Sequence, residues 1–488
     1  MTQLVEGTPL VEAIKWLAAE RPDQVGYVHV AQDGAEQTLT WSWLERRSNQ
    51  LAGAMRERGV GPGDNVALGF RNSPHFVMSV VATWKLGAIP VPMRFDLPDW
   101  EVERVRAVID PVLHISEKDI AWIDSTESLE LPEVDVAISP HVQGICSSGS
   151  TGTPKIILSA LPAVLSSAYA MPLAELWGPV QRPQTILVLA PMYHVNAFAT
   201  LHCMLAGDTL VVLEKFDAQR AVDVIERHKV THFTATPTML QRIADIPGVD
   251  DRNLSSLVWV LQGAAPMPQS LVHRWSDLIG AERLIMAYGM TEGLGLTILR
   301  GDEYMQHLGS VGKPMPGTEV KVLDTEGNEL PAGTIGDLYM KSSTNAGSTY
   351  LGDVPQLTRT AEGFATVGDM GYVDEQGFVF LVDRRVDMII SGGANVFPAE
   401  VEAALIDHPQ VADVVVIGLK DAEWGRRVHA LVEPTDASAP PTEAELIAYA
   451  KGRLAPYKVP KAVEFVDAIP RSEATKVNRG RLVEVRGG

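Results

Sequence analysis

QGICSSGSTGTPKIIL (residues 143–158) is the stretch on which the reading of this chain turns. An apolar strand end, Gly144–Cys146, runs into Ser147, Ser148, Gly149, Ser150, Thr151 and Gly152, and Lys155 follows Pro154. Gly149 and Gly152 let the backbone fold tightly, so that successive N–H groups can point into one concavity. The hydroxyls add donors and Lys155 adds charge, a set suited to the oxygens of a phosphate. The spacing does not match GxxxxGK[ST], and a proline precedes the lysine, so this is not a Walker loop opening a helix. A polar surface turn is the plainer alternative, and the density of donors ending in a lysine counts against it.

Outward from this loop, helical patterns alternate with short apolar runs. TWSWLERRSNQLAGAMRERG (40–59) and SPHFVMSVVATWKLG (73–87) read as helices, each closed by a glycine. DNVALGF (64–70) and AIPVPM (88–93) read as strands, as do QTILVLA (184–190), DTLVVLE (208–214), THFTATP (231–237) and LVWVLQG (257–263). AQRAVDVIERHK (218–229) is a helix between two of them. This alternation predicts an α/β fold with largely parallel sheets. From residue 309 to 384 the texture changes to strands and turns, with DTEGN (324–328) as a hairpin signal. We expect a large N-terminal domain over 1–384 with 309–384 as a β-rich subdomain. A hinge at 385–387 and a small mobile α+β domain over 388–488 complete the division, the latter of ordinary small-domain size.

At 488 residues the chain is too long for one ordinary core, and 46% hydrophobic with 21% charged residues is the profile of a globular enzyme. No apolar run reaches the length of a membrane span, and the acidic N-terminus lacks a signal-peptide pattern, so a cytoplasmic location is expected. Cys146 and Cys203 are too few for a disulfide framework or a thiolate metal site and read as small buried residues. A net charge of −20 argues against nucleic acid as a partner. The stretch 451–486 runs against this trend, with nine Lys/Arg and four Asp/Glu. It is either a solvated basic face or a landing site for a polyanionic small ligand.

The loop SSGSTGTPK resembles the signature loop of the adenylate-forming superfamily: acyl- and aryl-CoA ligases, peptide-synthetase adenylation domains and luciferases. Further motifs follow in the family's order across nearly the whole chain. LQGAAPMP (261–268) offers small residues, Gly263, Ala264 and Ala265, where the family forms one side of an adenine slot. MAYGMTEGLG (286–295) matches the family's YGxTE motif through Tyr288, Gly289, Met290, Thr291 and Glu292. The resemblance implies that Tyr288 stacks on adenine, Thr291 touches phosphate and Glu292 holds Mg²⁺, for which a carboxylate is a suitable hard ligand. Asp369 in TVGDMGYVDEQG and Arg384 beyond it would hold the ribose. His194 in APMYHVNAF would lie beside the substrate carboxylate, with Val195 and Asn196 next to it. Lys476 resembles the family's mobile lysine, a cation that offsets the charge developing when a carboxylate attacks phosphate.

By the same resemblance, a swing of the small domain would let the CoA thiol displace AMP. Gly392 and Gly393 would then border the pantetheine, and Trp424, Tyr457 and Lys461 the nucleotide end of CoA. The implied ligands are ATP, Mg²⁺, coenzyme A and a carboxylic acid or its acyl-adenylate; a homodimer is compatible with this reading. Two positions depart from the family's pattern: Thr475 stands where Gly commonly precedes the lysine, and Val386 where relatives often place Asp or Lys at the pivot.

The acid pocket should be lined by residues near 194–198, 259–263 and 289–297, including Gly263, Gly289, Gly293 and Gly295. No lysine or arginine there suits a second carboxylate. The flanks 89–101 and 387–402 look most like those of ligases for bile acids and other large alicyclic or fatty acids. A bulky hydrophobic monocarboxylate, fatty, alicyclic, steroid- or terpenoid-like, is therefore expected. Three alternatives stand beside the complete ligase. One is an enzyme acting mainly in thioester formation, since a β-branched Thr475 can hinder the bend that delivers Lys476. The others are transfer of the acyl group to an amine, and a catalytically dead nucleotide sensor. The last fits poorly with the presence of Lys155, Glu292, Asp369, Arg384 and Lys476.

Overall fold

The computed structural model describes residues 5–130, 137–147, 155–166 and 182–487, apart from 264, 266, 344–346, 353, 385–386, 392–393, 422 and 472–476; of 383 and 384 it describes the backbone. The N-terminal part is built on one long sheet. In hydrogen-bonded order it runs Glu36–Thr40, Val25–Val30, Thr209–Leu213, Thr185–Val188, His232–Ala235, Trp259–Gln262 and Leu284–Gly289. All neighbours from Val25–Val30 to Leu284–Gly289 are parallel, as the strand–helix alternation predicts.

The period of two explains how this sheet is covered on both faces. Ile186, Val188, Leu210 and Val212 pack into one core with the helices Leu10–Glu20, Trp41–Glu57 and Pro74–Lys85. Their alternates Leu187, Leu189, Val211 and Leu213 join a second core with Ala218–His228, Pro237–Ala244 and Gln269–Ile279. Helix starts follow the sequence signals. The Thr40 and Ser73 side chains accept hydrogen bonds from the N–H groups of Trp43 and Phe76, both at 3.2 Å. Gly87, with φ +67°, sits where an added Cβ would meet that of Ala137 at 2.6 Å.

After Leu284–Gly289 the same sheet continues, now with antiparallel pairing, through Leu296–Arg300, Ser310–Pro314, Val379–Arg384, Asp369–Val373 and Gly336–Ser342. The antiparallel run thus begins at Leu296, ahead of the change of texture read at residue 309, and most of its strands lie within 309–384. The DTEGN stretch makes a tight turn, closed by the Asp324 N–H donating to the Asn328 carbonyl at 2.9 Å. The hairpin it signals is short, a single bridge between Leu323 and Glu329. The long partner of Thr318–Leu323 is Gly336–Ser342, beyond the turn.

Two smaller sheets complete this part. Ile89–Pro92, Asn65–Gly69 and Leu113–Ser116 are parallel. Gly144–Ser147, Lys155–Leu158 and Thr349–Tyr350 are antiparallel. The C-terminal domain is a twisted sheet around Val411–Asp421 and Gly425–Pro434. On the first of these strands Val414 and Val416 face the helices Pro398–Ile406 and Glu443–Lys451, while Val415, Ile417 and Leu419 face Arg479–Glu484. Among the described residues, no helix is long and apolar enough to cross a membrane.

Candidate active site

In open parallel sheets, ligands bind outside the carboxyl ends of the strands, where backbone emerges from the core with polar groups still to be paired. Three motifs singled out from the sequence emerge from that edge. His194 follows Thr185–Val188, Gly263 and Ala265 follow Trp259–Gln262, and the run Met290–Glu292 follows Leu284–Gly289. These strands are separated in order only by His232–Ala235.

The hairpin bearing the phosphate-type loop lies in the small antiparallel sheet. Ser147 and Lys155 pair across it, so the loop joins two strands and opens no helix, as the Pro154 spacing indicates. Ser148, Gly149, Ser150, Thr151 and Gly152 lie outside the described residues. Cys146 packs against the core of Ile156 and Leu158, and burial pushes its thiol up to about 12. Cys203 is likewise pushed up to about 12 by burial. Neither thiol is a ready nucleophile at neutral pH; both pack against a core but are half-buried rather than the fully buried residues expected.

Two carboxylates of the motifs are each met by a tyrosine. The Tyr288 hydroxyl donates to Asp369 Oδ2 at 2.7 Å, joining Leu284–Gly289 to the start of Asp369–Val373. Asp369 is only 8% exposed, and the backbone of Arg384 stands directly opposite it in register. The side chain of Arg384 lies outside the description. Tyr350 donates its hydroxyl to Glu292 Oε1 at 2.9 Å, and its ring lies 4.6 Å from Lys155 Nζ. Lys155 and Glu292, 137 positions apart in the chain, thus share one partner. No sequence signal pointed to Tyr350, which sits in the unremarkable run STYLGD.

Among the described residues, no group of three or more His, Cys, Asp or Glu side chains could hold a metal ion. A single half-buried carboxylate held by a tyrosine does fit Mg²⁺ carried by a nucleotide, because that ion keeps waters and phosphate oxygens and takes one or two carboxylates.

Asn72 is a second residue the sequence did not disclose. It lies in the turn after Asn65–Gly69, is 4% exposed, and donates to the carbonyls of Ala190 and Leu213, both at 3.0 Å. Its Oδ1 accepts the Met192 N–H at 2.7 Å. It therefore ties the ends of two sheet strands to the turn that carries His194. His194 itself stands at the N-cap position of the short helix Val195–Phe198, without a side-chain capping hydrogen bond, and lies against Tyr193, ring centroids 4.5 Å apart; Asn196 is exposed beside it.

The glycines of the motifs divide into three kinds. A Cβ on Gly295 would meet Thr318 Cγ2 at 2.6 Å, and one on Gly289 would meet Leu296 Cδ1 at 2.9 Å. Packing within the protein accounts for both. Gly293 has φ +67°, so its backbone conformation accounts for it. At Gly263 the nearest atom to an added Cβ is 3.7 Å away, so no described neighbour requires glycine there.

On the small domain, Lys461 Nζ lies 4.5 Å from the centre of the Trp424 ring, and Tyr457 is 43% exposed nearby in the chain. Ala264, Gly392, Gly393 and Lys476 lie outside the described residues. The flanks of the last are described. Arg471 and Val477 form a bridge, and Arg471 holds Asp413 through Nε at 2.5 Å and a terminal nitrogen at 2.7 Å.

Comparison with known proteins agrees with this layout. The family described as AMP-binding enzyme matches residues 14–351, and the AMP-binding enzyme C-terminal domain matches 400–476. A feruloyl-CoA synthase from an Amycolatopsis species is 33% identical over 466 residues, covering 91% of this chain and 93% of that protein. A long-chain-fatty-acid–CoA ligase from Mycobacterium tuberculosis is 29% identical, covering 96% and 98%. The structure of o-succinylbenzoate CoA synthetase from Bacillus subtilis, in complex with its acyl-adenylate intermediate, is similar with a TM-score of 0.83 and 26% identity over 98% of each chain. The chain belongs to the AMP-binding enzymes of the adenylate-forming superfamily, and within them to the acyl-CoA ligases that work with ATP, Mg²⁺ and CoA.

Proposed function

We propose that this ligase activates a bulky hydrophobic monocarboxylic acid, holding ATP across the two tyrosine–carboxylate pairs. The observation that carries the nucleotide assignment is the Tyr288–Asp369 hydrogen bond, which fixes an aromatic face and an acceptor side by side at the sheet edge. In this reading Tyr288 faces adenine beside Gly263, Ala264 and Ala265, and Asp369 and Arg384 take the ribose hydroxyls. Thr291, the 147–152 loop and Lys155 bind the phosphates. Glu292 orients toward Mg²⁺, which when bound neutralises phosphate charge during displacement. Lys476 offsets the charge gathered as the carboxylate attacks, and His194 lines the carboxylate's approach.

After adenylation, rotation about 385–387 would bring Gly392, Gly393, Trp424, Tyr457 and Lys461 to receive CoA. We assign the boundaries 1–384 and 388–488 on this basis, with a cytoplasmic location. A homodimer is the accompanying assembly proposal, read by light scattering.

The class of acid rests on what the pocket stretches lack. Residues 194–198, 259–263 and 289–297 contain no lysine or arginine to meet a second carboxylate. Among the relatives, the long-chain-fatty-acid–CoA ligase supplies an aliphatic precedent, and the feruloyl-CoA and 2-succinylbenzoate enzymes are the aryl counterexamples against which the panel decides. Mass spectrometry of products from ATP, CoA and a mixed panel of acids, scoring acyl-AMP and acyl-CoA separately, tests the proposal. Thioesters of fatty, alicyclic or steroid-like acids are expected. Thioesters from small aryl acids alone would overturn it.

Thr475 favours a second reading, in which thioester formation from a supplied acyl-adenylate is the efficient half-reaction. Fast acid-dependent ATP–pyrophosphate exchange that Thr475→Gly leaves unchanged would eliminate it.

A further inference from the structure

The segment Ser348–Leu351 is bonded to both phosphate-side loops, which no motif in the sequence announces. The Ser348 N–H donates to the Glu292 carbonyl at 2.8 Å, and the Leu351 N–H donates to the Ile156 carbonyl at 2.9 Å. Between these anchors, Thr349–Tyr350 pairs antiparallel with Ile157 and Leu158. Tyr350 lies directly opposite Ile157, and Lys155, two residues earlier on that strand, projects from the same face. Tyr350 and Lys155 are therefore diagonal neighbours on the sheet, and the 4.6 Å cation–ring approach follows from the register. The same side chain then reaches Glu292 with its hydroxyl.

We propose that Tyr350 is a positioning residue for the adenylation half-reaction. Its hydroxyl fixes the Glu292 carboxylate and its ring fixes the Lys155 ammonium, so one side chain sets the geometry between them. A carboxylate with one oxygen engaged by a donor loses rotational freedom. Oε1 takes the tyrosine, and Oε2 is left to face the ligand, having no hydrogen-bond partner among the described residues. The cation–ring contact restrains a flexible lysine without neutralising it. This rests on the reading of Glu292 as the Mg²⁺ group and Lys155 as a phosphate group, and the test separates the two claims.

Calorimetric titration of ATP, with Mg²⁺ and with chelator, is the primary measurement, on the wild type and on Tyr350→Phe, Tyr350→Leu, Glu292→Ala and the Tyr350→Phe/Glu292→Ala pair. Tyr350→Phe keeps the ring and removes the donor; it should weaken MgATP binding about tenfold and leave metal-free ATP within about twofold. Tyr350→Leu should in addition weaken metal-free ATP about threefold, through loss of the ring beside Lys155. In the Glu292→Ala background Tyr350→Phe should have no further effect. Wild-type MgATP affinity in Tyr350→Phe, an equal loss with and without Mg²⁺, or additive losses in the double variant would each overturn the positioning role while leaving the Glu292 assignment intact. Undiminished Mg²⁺ dependence in Glu292→Ala would overturn both.

Discussion

On the large domain, charged groups of the candidate site are met by a side chain from another element. Asp369 has Tyr288, and Glu292 and Lys155 share Tyr350. On the small domain the arrangement is looser. Trp424 and Lys461 touch through a cation–ring contact near a hairpin tip, and Tyr457 is 43% exposed with Lys458 Nζ 5.6 Å from its ring. Groups held in advance do not have to be ordered when the ligand arrives. Exposed side chains must be immobilised then, at about 0.5–1.5 kcal/mol each. Under the proposed assignment, the difference would suit a protein that keeps its nucleotide side ready and completes its thiol side only when the two parts meet.

Three substitutions probe that division. Lys476→Ala should lower acid-dependent ATP–pyrophosphate exchange about 10²–10³-fold, as loss of a charge-stabilising group does elsewhere. It should leave thioester formation from a supplied acyl-adenylate within a few-fold. An equal fall in both half-reactions would break the separation. Asp369→Ala removes an acceptor of charged hydrogen bonds, and calorimetry should show ATP affinity down about ten- to a hundredfold. Unchanged affinity would mean that the Tyr288–Asp369 pair serves packing alone. Trp424→Ala should raise the KM for CoA about two- to fivefold, the scale of an exposed cation–ring contact, with exchange unaffected. An unchanged KM would return the basic stretch 451–486 to the status of a solvated face.

The parallel sheet was legible because its signal is local: apolar runs of five or six residues separated by amphipathic helices, each visible within one window of sequence. Tyr288, Glu292, Asp369 and Arg384 were legible as motifs. The backbone of Arg384 does stand opposite Asp369, and the Tyr288 hydroxyl does reach that carboxylate. Tyr350 and Asn72 were not legible, for a shared reason. Each acts on partners far away in the chain: Asn72 on Ala190, Met192 and Leu213, Tyr350 on Lys155 and Glu292. A residue whose importance lies in long-range pairing carries no periodic or compositional mark of its own. The DTEGN hairpin signal was legible too: the turn lies in the connection between Thr318–Leu323 and its antiparallel partner Gly336–Ser342, and what the local pattern did not carry was the extra length of that connection, which the sheet's register sets.

The bridge between Arg471 and Val477 fixes both flanks of the segment that carries Lys476. Val477 is packed with Ile469 and Leu482, and Arg471 is clamped to Asp413, so both ends of the intervening segment are moored to the small domain. Lys476 is the immediate chain neighbour of Val477. In the proposed cycle, flanks anchored in this way would make delivery of the lysine a movement of the whole small domain, with its sheet and helices as passengers, and the proposed hinge would set its timing.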